Sequence, residues 1–216
     1  KDLQDPTEAQ DAATKAYIDA LIANLQTQIE NLSSGSNPTN DSGSISDIDG
    51  NSYNYNTYGD FQWTLENAQM VTYRDGTPIP QVTDPNQWSQ LTTGAWCYHN
   101  NDPTKGMLYN WYAVAGIHDN DPNTPNKELA PDGWQVPTDI EWTSLEEHLI
   151  ANGYNYDGTT TGNKIAKAMA SASGWNSSDN PGSPGLNQDV NNSSGFDSYP
   201  YTNRSYDGTF SFNLGS

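Results

Sequence analysis

The chain of 216 residues carries 27 acidic against 8 basic side chains, a formal charge of −19. That balance argues against nucleic acid, because neutralising phosphates needs Lys and Arg, and against an anionic membrane surface. No apolar run approaches the roughly 20 residues that span a bilayer, so no membrane insertion is expected. The one cysteine, Cys97, can form neither an internal disulfide nor a zinc cluster.

Lys1 opens into polar sequence without a signal-peptide pattern, so an export address, if the protein is exported, lies outside this sequence. Residues 7 to 32 then read as one helix, with Pro6 and Thr7 at its first turn and no Gly or Pro inside. Its apolar positions Ile18, Ile22, Leu25, Ile29 and Leu32 step by four and three, the spacing of a coiled-coil seam. Ile22 and Ile29 take a, and Ile18, Leu25 and Leu32 take d. A β-branched a layer with mixed d residues allows a dimer or a trimer; a homotrimer is expected. The tract SSGSNPTNDSGSIS, residues 33–46, reads as a Gly/Ser-rich linker. It separates a stalk helix, 1–32, from a head, 47–216.

In the head, Asp49-Gly50 between Ile48 and the run SYNYNTY predicts a hairpin, and Asp75-Gly76 a second turn. LYNWYAVAG, residues 108–116, is the most apolar run and reads as a central buried strand. Thr138 and Glu141 form a capping box after Pro137. Trp142, Leu145 and Leu149 share one face of the helix that follows, and Gly153 stops it. A second helix is expected over Lys164–Ala172, with Ile165, Ala168, Met169 and Ala172 inward and Gly174 at its end. The predicted fold class is α+β, two helices on a small irregular antiparallel sheet. Leu, Ile, Val and Phe make only 31 of the 216 residues, whereas Trp and Tyr number 7 and 13. The core must therefore lean on aromatic rings, each burying roughly 150–250 Å². Trp63, Trp111, Trp134 and Trp142 are assigned to it.

Several strings resemble the Fibrobacter succinogenes major paralogous domain: DIDGNSY at Asp47, YRDGTPIP at Tyr73, GAWCYHNND at Gly94 and LYNWYAV at Leu108. LAPDGWQVPTDIEW at Leu129 and SYDGTFSFNLGS at Ser205 continue the series. The Gly-Trp-x-Val-Pro-Thr-Asp-x-Glu-Trp element, Gly133 to Trp142, is the most specific. The resemblance implies a head related in fold to C-type lectins and the formylglycine-generating enzyme. It also implies a secreted or surface-anchored protein of Bacteroidetes or related bacteria. DPTEAQDAATKAYIDAL separately resembles a segment of phage tail fibres and bacterial surface fibres, where it precedes a trimeric coiled coil or a tip domain. Two departures stand out. Ala130 occupies a position where members usually carry cysteine. The sequence also stops before the family's closing Trp-Trp-Ser and Val-Arg-Cys elements, so the head is expected to continue beyond Ser216.

No nucleophile elbow, zinc motif or phosphate loop is present, and His99, His118 and His148 are scattered. An enzyme is not expected. Asp119, Asp121 and Asn123 alternate in HDNDPNTPN as calcium ligands do. They lack the glycine and distal glutamate of an EF-hand, and turn formers alone explain the run. Calcium is the one cofactor the pattern admits. Asp47, Asp49 and Asn51 share the spacing, but Gly50 favours a turn. Trp175, Asn176, Tyr199, Tyr201, Arg204 and Tyr206 combine flat apolar faces with hydrogen-bonding tips, as sugar sites and protein interfaces do. The expected protein is an extracellular adhesin or fibre tip whose heads bind a surface glycan or protein. The alternative is a structural subunit or cap of a surface or phage/injection-device fibre, with no separate ligand.

Overall fold

A computed structural model of the chain describes Ile22, Gln26 and residues 42–200 and 203–211. The chain divides into a unit of residues 1–41 and a unit from Ser42 onward. In the first unit Ile22 and Gln26 are helical and exposed; Ile18, Leu25, Ile29 and Leu32 lie outside the described residues.

The second unit is a mixed α/β head with two small antiparallel sheets and few helices. Strands β1 (Ser42–Ser46), β2 (Ser52–Tyr58) and β3 (Phe61–Thr64) form a three-stranded meander in that order. The last five residues of the stretch read as a linker are thus strand, pairing Ser42 to Asn56 through Ser46 to Ser52. Their serines and glycine carry no apolar pattern, so the pairing comes from the partner strand. β4 (Trp96–Tyr98) and β5 (Met107–Tyr109) form the second sheet. Four α-helices, α1 (Pro85–Trp88), α2 (Trp111–Val114), α3 (Asp139–Ala151) and α4 (Ala166–Met169), and two 3-10 turns, His99–Asn101 and Gln188–Val190, complete the described elements of the head.

Tyr53 and Tyr58 stand five residues apart on β2, so the two-residue period of a strand sends them to opposite faces. Tyr53 enters a cluster with Met70, Tyr73, Ile79, Trp96, Ala113 and Leu129. Tyr58 enters another with Trp63, Leu145, Leu149 and Ile165, which seats α3 on the sheet. A third cluster gathers Trp88, Ala95 and Cys97, with Phe210 packed against it.

The hairpin at Asp49-Gly50 and the turn at Asp75-Gly76 form as expected; in each, the glycine N–H closes onto a carbonyl three residues back. α3 also starts as expected. Thr138 Oγ1 accepts from Glu141 N, and Glu141 returns a carboxylate oxygen to Thr138 N at 2.7 Å.

Three expectations need correction. The run 108–116 is not one buried strand. β5 ends at Tyr109, and Asn110 caps α2 by accepting from Ala113 N at 2.9 Å, so Asn110 competes as a cap where a strand would need a spacer. Trp111 is consequently 68% exposed, and Trp142 40% exposed, while Trp134 is half-buried; the buried tryptophans are Trp63, Trp88 and Trp96. The second helix is shorter than expected: Ala170 turns extended and bridges to Ser198, and Ala172 is exposed.

Candidate functional site

The expected contact residues attach to the head at two places. Ser171 N donates to Ser198 O and Ser198 N to Met169 O, each at 2.8 Å, so the approach to Trp175 runs beside the approach to Tyr199. Trp175 is bracketed by one side chain. Gln188 Oε1 accepts from Trp175 N at 3.0 Å, and Gln188 Nε2 donates to Trp175 O at 2.8 Å. The indole N–H donates to Ser171 O and Oγ, at 3.1 and 3.2 Å. This half-buried ring is therefore held in place, with exposed Asn176 next to it and Tyr199 46% exposed. Tyr201 lies outside the described residues.

Arg204 and Tyr206 belong elsewhere. The Arg204 guanidinium donates to Val82 O (2.7 Å), Thr83 O (2.9 Å) and Gly208 O (3.0 Å). Its plane lies over the Trp88 ring at 4.3 Å and the Phe210 ring at 5.0 Å. The planar fork thus rivets residues 203–211 onto α1 and the residues before it, with three of its donors engaged inside the head. Tyr206 leads the adjoining Asp207-Gly208-Thr209 turn and is 89% exposed. That turn is tight because Asp207 Oδ1 accepts from both Thr209 N and Thr209 Oγ1, holding the Asp207 carboxyl below its ordinary pKa. Gly208 has φ +83° and would place a Cβ 2.5 Å from Pro85 Cα.

The alternating acids at 119–123 bond within their own loop. Asp119 Oδ1 accepts from Asp121 N, Asp121 Oδ1 accepts from Asn123 N and Nδ2, and His118 Nε2 lies 3.3 Å from Asp119 Oδ2. These are the local bonds of Asx turns. Among the described residues no three His, Cys, Asp or Glu side chains converge to hold a metal ion. Asp47 and Asp49 act as clamps. Asp47 accepts from Asn51 N, Asn51 Nδ2 and Tyr53 Oη, and Asp49 accepts from Val71 N, Thr72 N and Thr72 Oγ1. Together they pin the first hairpin to residues 69–72.

His99 is buried edge-on to Phe210, and burial lowers its pKa. His148 lies edge-on to Tyr58 and is likewise lowered by burial. Cys97 is fully buried, which pushes its thiol up.

Trp142, expected on the inward face of α3, lies over Trp63 at 4.7 Å and beside Phe196 at 6.0 Å, so a partly exposed indole caps the second core cluster. One feature escaped sequence reasoning. A cleft of about 500 Å³ opens between the end of α3, α4 and the 190–193 loop, with Tyr154, Tyr156, Lys167 and Val190 in its walls. The lysine's place on a short helix gave no signal of it.

The family model described as the Fibrobacter succinogenes major domain matches residues 57–215. No curated protein and no solved structure matches the chain.

Proposed function

This chain belongs to the Fibrobacter succinogenes major domain family, and on that premise we propose that it is a non-enzymatic extracellular recognition protein, an adhesin or fibre tip. Its head, taken to be C-type-lectin-like in its finer topology, binds a surface glycan or protein. The helix at 1–32 assembles copies into a trimer. Among the described residues no helix is long and apolar enough to cross a membrane, and the reading places the protein on a cell surface or a fibre.

One observation carries the reading: the Gln188 bracket that immobilises Trp175 beside Asn176 and the approach to Tyr199. A pre-positioned aromatic ring binds without the ordering cost of a loose one, and aromatic faces with neighbouring amides suit saccharides. Trimeric display would add avidity of roughly 10²–10⁴ when geometry lets several heads engage.

The test is a binding survey over immobilised glycans and bacterial surface proteins with the full chain, alongside Trp175→Ala and Tyr199→Ala. A ligand retained by the parent and lost by both variants supports the reading. A ligand bound equally by all three removes this surface from it.

The exposure of Trp111 and Val114 on α2 favours a second reading, a structural fibre subunit or cap. Bare apolar side chains of that kind mark docking faces. Assembly lost in Trp111→Ala, with no ligand found, would select it.

A further inference from the structure

Two of the head's exposed apolar side chains, Tyr156 at 46% and Val190 at 61%, stand in the walls of the cleft described above. At about 500 Å³ the cleft falls within the roughly 300–1,000 Å³ of small-molecule sites. Its frame is tied down. The Tyr156 ring rests against Gly182, where a Cβ would come within 2.7 Å of Tyr156 Cε1, and Tyr156 N donates to Lys164 O. Buried Asn155 donates through Nδ2 to Thr159 O at 2.8 Å and Gly162 O at 3.0 Å, and its Oδ1 accepts from Lys164 N at 2.9 Å. The 190–193 loop is held on α4, where Asn192 N donates to Lys167 O and Ser194 N to Ala168 O. Walls ordered beforehand spare a ligand the cost of ordering them.

Several polar tips of these walls have no partner in the protein. The phenol oxygens of Tyr154 and Tyr156, Ser193 Oγ and Asn152 Oδ1 make no hydrogen bond among the described residues, whereas Asn152 Nδ2 is taken by His148 O at 2.8 Å. Charge is withheld by contrast. The one charged residue in the walls, Lys167, binds its ammonium to Leu186 O and, at 3.4 Å, to Ser183 O, carbonyls that do not line the cleft. Lys164, joined to Tyr156 N through its carbonyl, is paired with Asp157 at 2.6 Å. A charged ligand would give up water here without gaining a counter-ion. An uncharged one with an apolar face and several hydroxyls would meet a match for both.

We propose that this cleft binds a neutral hexopyranose. The apolar face of the sugar ring lies against Tyr156 and Val190, and its hydroxyls exchange hydrogen bonds with the two phenols, Ser193 Oγ and Asn152 Oδ1. The site goes beyond the Trp175 surface and stands or falls separately from it.

The experiment titrates the full chain with D-glucose, D-galactose and D-mannose, followed by protein NMR shifts at Tyr154, Tyr156 and the 190–193 loop. D-Glucuronate tests for charge, cyclohexanol for a ring with a single hydroxyl, and glycerol for hydroxyls without a ring. Expected are saturable shifts at those residues with at least one hexose, glucuronate binding no tighter, and cyclohexanol and glycerol weaker by about tenfold or more. Tyr154→Phe and Tyr156→Phe each remove one hydroxyl and keep the ring, so packing is preserved. Each should weaken hexose binding about threefold to tenfold. Unchanged binding in both variants overturns the role of the phenols. Glucuronate binding tenfold tighter than every hexose overturns the neutral ligand, and cyclohexanol binding as tightly as the best hexose overturns the sugar. No saturable shift at these residues, or shifts confined to Trp175, overturns the site.

Discussion

The Tyr53 hydroxyl donates to Oδ2 of Asp47 at 2.6 Å and accepts from Gln69 N at 3.0 Å, in the wall of the first core cluster. Burial and the neighbouring carboxylate together push the Tyr53 phenol well above its ordinary range, so it stays a donor. Because Asp47 is itself buried, removing this donor leaves a carboxylate short of one partner. Tyr53→Phe should therefore cost about 1–3 kcal/mol, read as a lower urea midpoint with an unchanged slope.

Arg204 separates packing from recognition. Its guanidinium has three carbonyl acceptors and two ring faces within the head. Arg204→Lys keeps the charge but loses the planar fork, and should destabilise by about 2–4 kcal/mol. Thermal unfolding checks this. A variant of unaltered stability that has lost ligand binding would return Arg204 to the recognition surface.

Gly208 tests the same junction from the backbone side. With φ at +83° and Pro85 Cα 2.5 Å from the place of a Cβ, Gly208→Ala must move α1 or residues 203–211. The expected loss is about 2–4 kcal/mol, against no more than about 0.5 kcal/mol for an exposed control substitution.

Two histidines, buried His99 and half-buried His148, set an acid limit. Burial holds the pKa of His99 and of His148 below the ordinary 6.5. The unfolded chain then binds more protons than the folded one between the lowered values and 6.5, so stability rises with pH across that window. This contribution is complete above about pH 6.5 and is lost as pH falls through the folded values. Histidine ring NMR signals should titrate below 6.5 for both residues, and a pKa at or above 6.5 for either would refute its burial. The Asp157 carboxyl, lowered to about 2 by Lys164 and Thr159, titrates in a separate, more acidic range.

The stalk is tested by sedimentation. If the seam from Ile18 to Leu32 assembles the chain, Ile22→Asp should shift the full chain from trimer to monomer without altering the head's spectrum. Ile22 is helical and 48% exposed, as an unpartnered seam position would be in a single chain. A parent that stays monomeric at high concentration ends the stalk proposal.

What the sequence determined by itself is local. The capping box of Thr138 and Glu141, the hairpin at Asp49-Gly50 and the turn at Asp75-Gly76 follow from residues a few positions apart, because caps and turns close short hydrogen-bonded rings. The family motifs were equally legible, since they too are short strings in fixed order. What only the tertiary structure decided is which rings and charges face inward. Trp96 and Trp111 sit in similarly apolar strings, yet one is buried between Tyr53 and Ile79 while the other lies on an exposed turn of helix that Asn110 starts. Arg204 looked like a ligand contact until residues 82–88, distant in the chain, supplied its acceptors. Lys167 found its carbonyl acceptors at Ser183 and Leu186, likewise remote in the chain. A side chain's burial and its partners are set by segments remote in sequence, and no spacing within one segment encodes them.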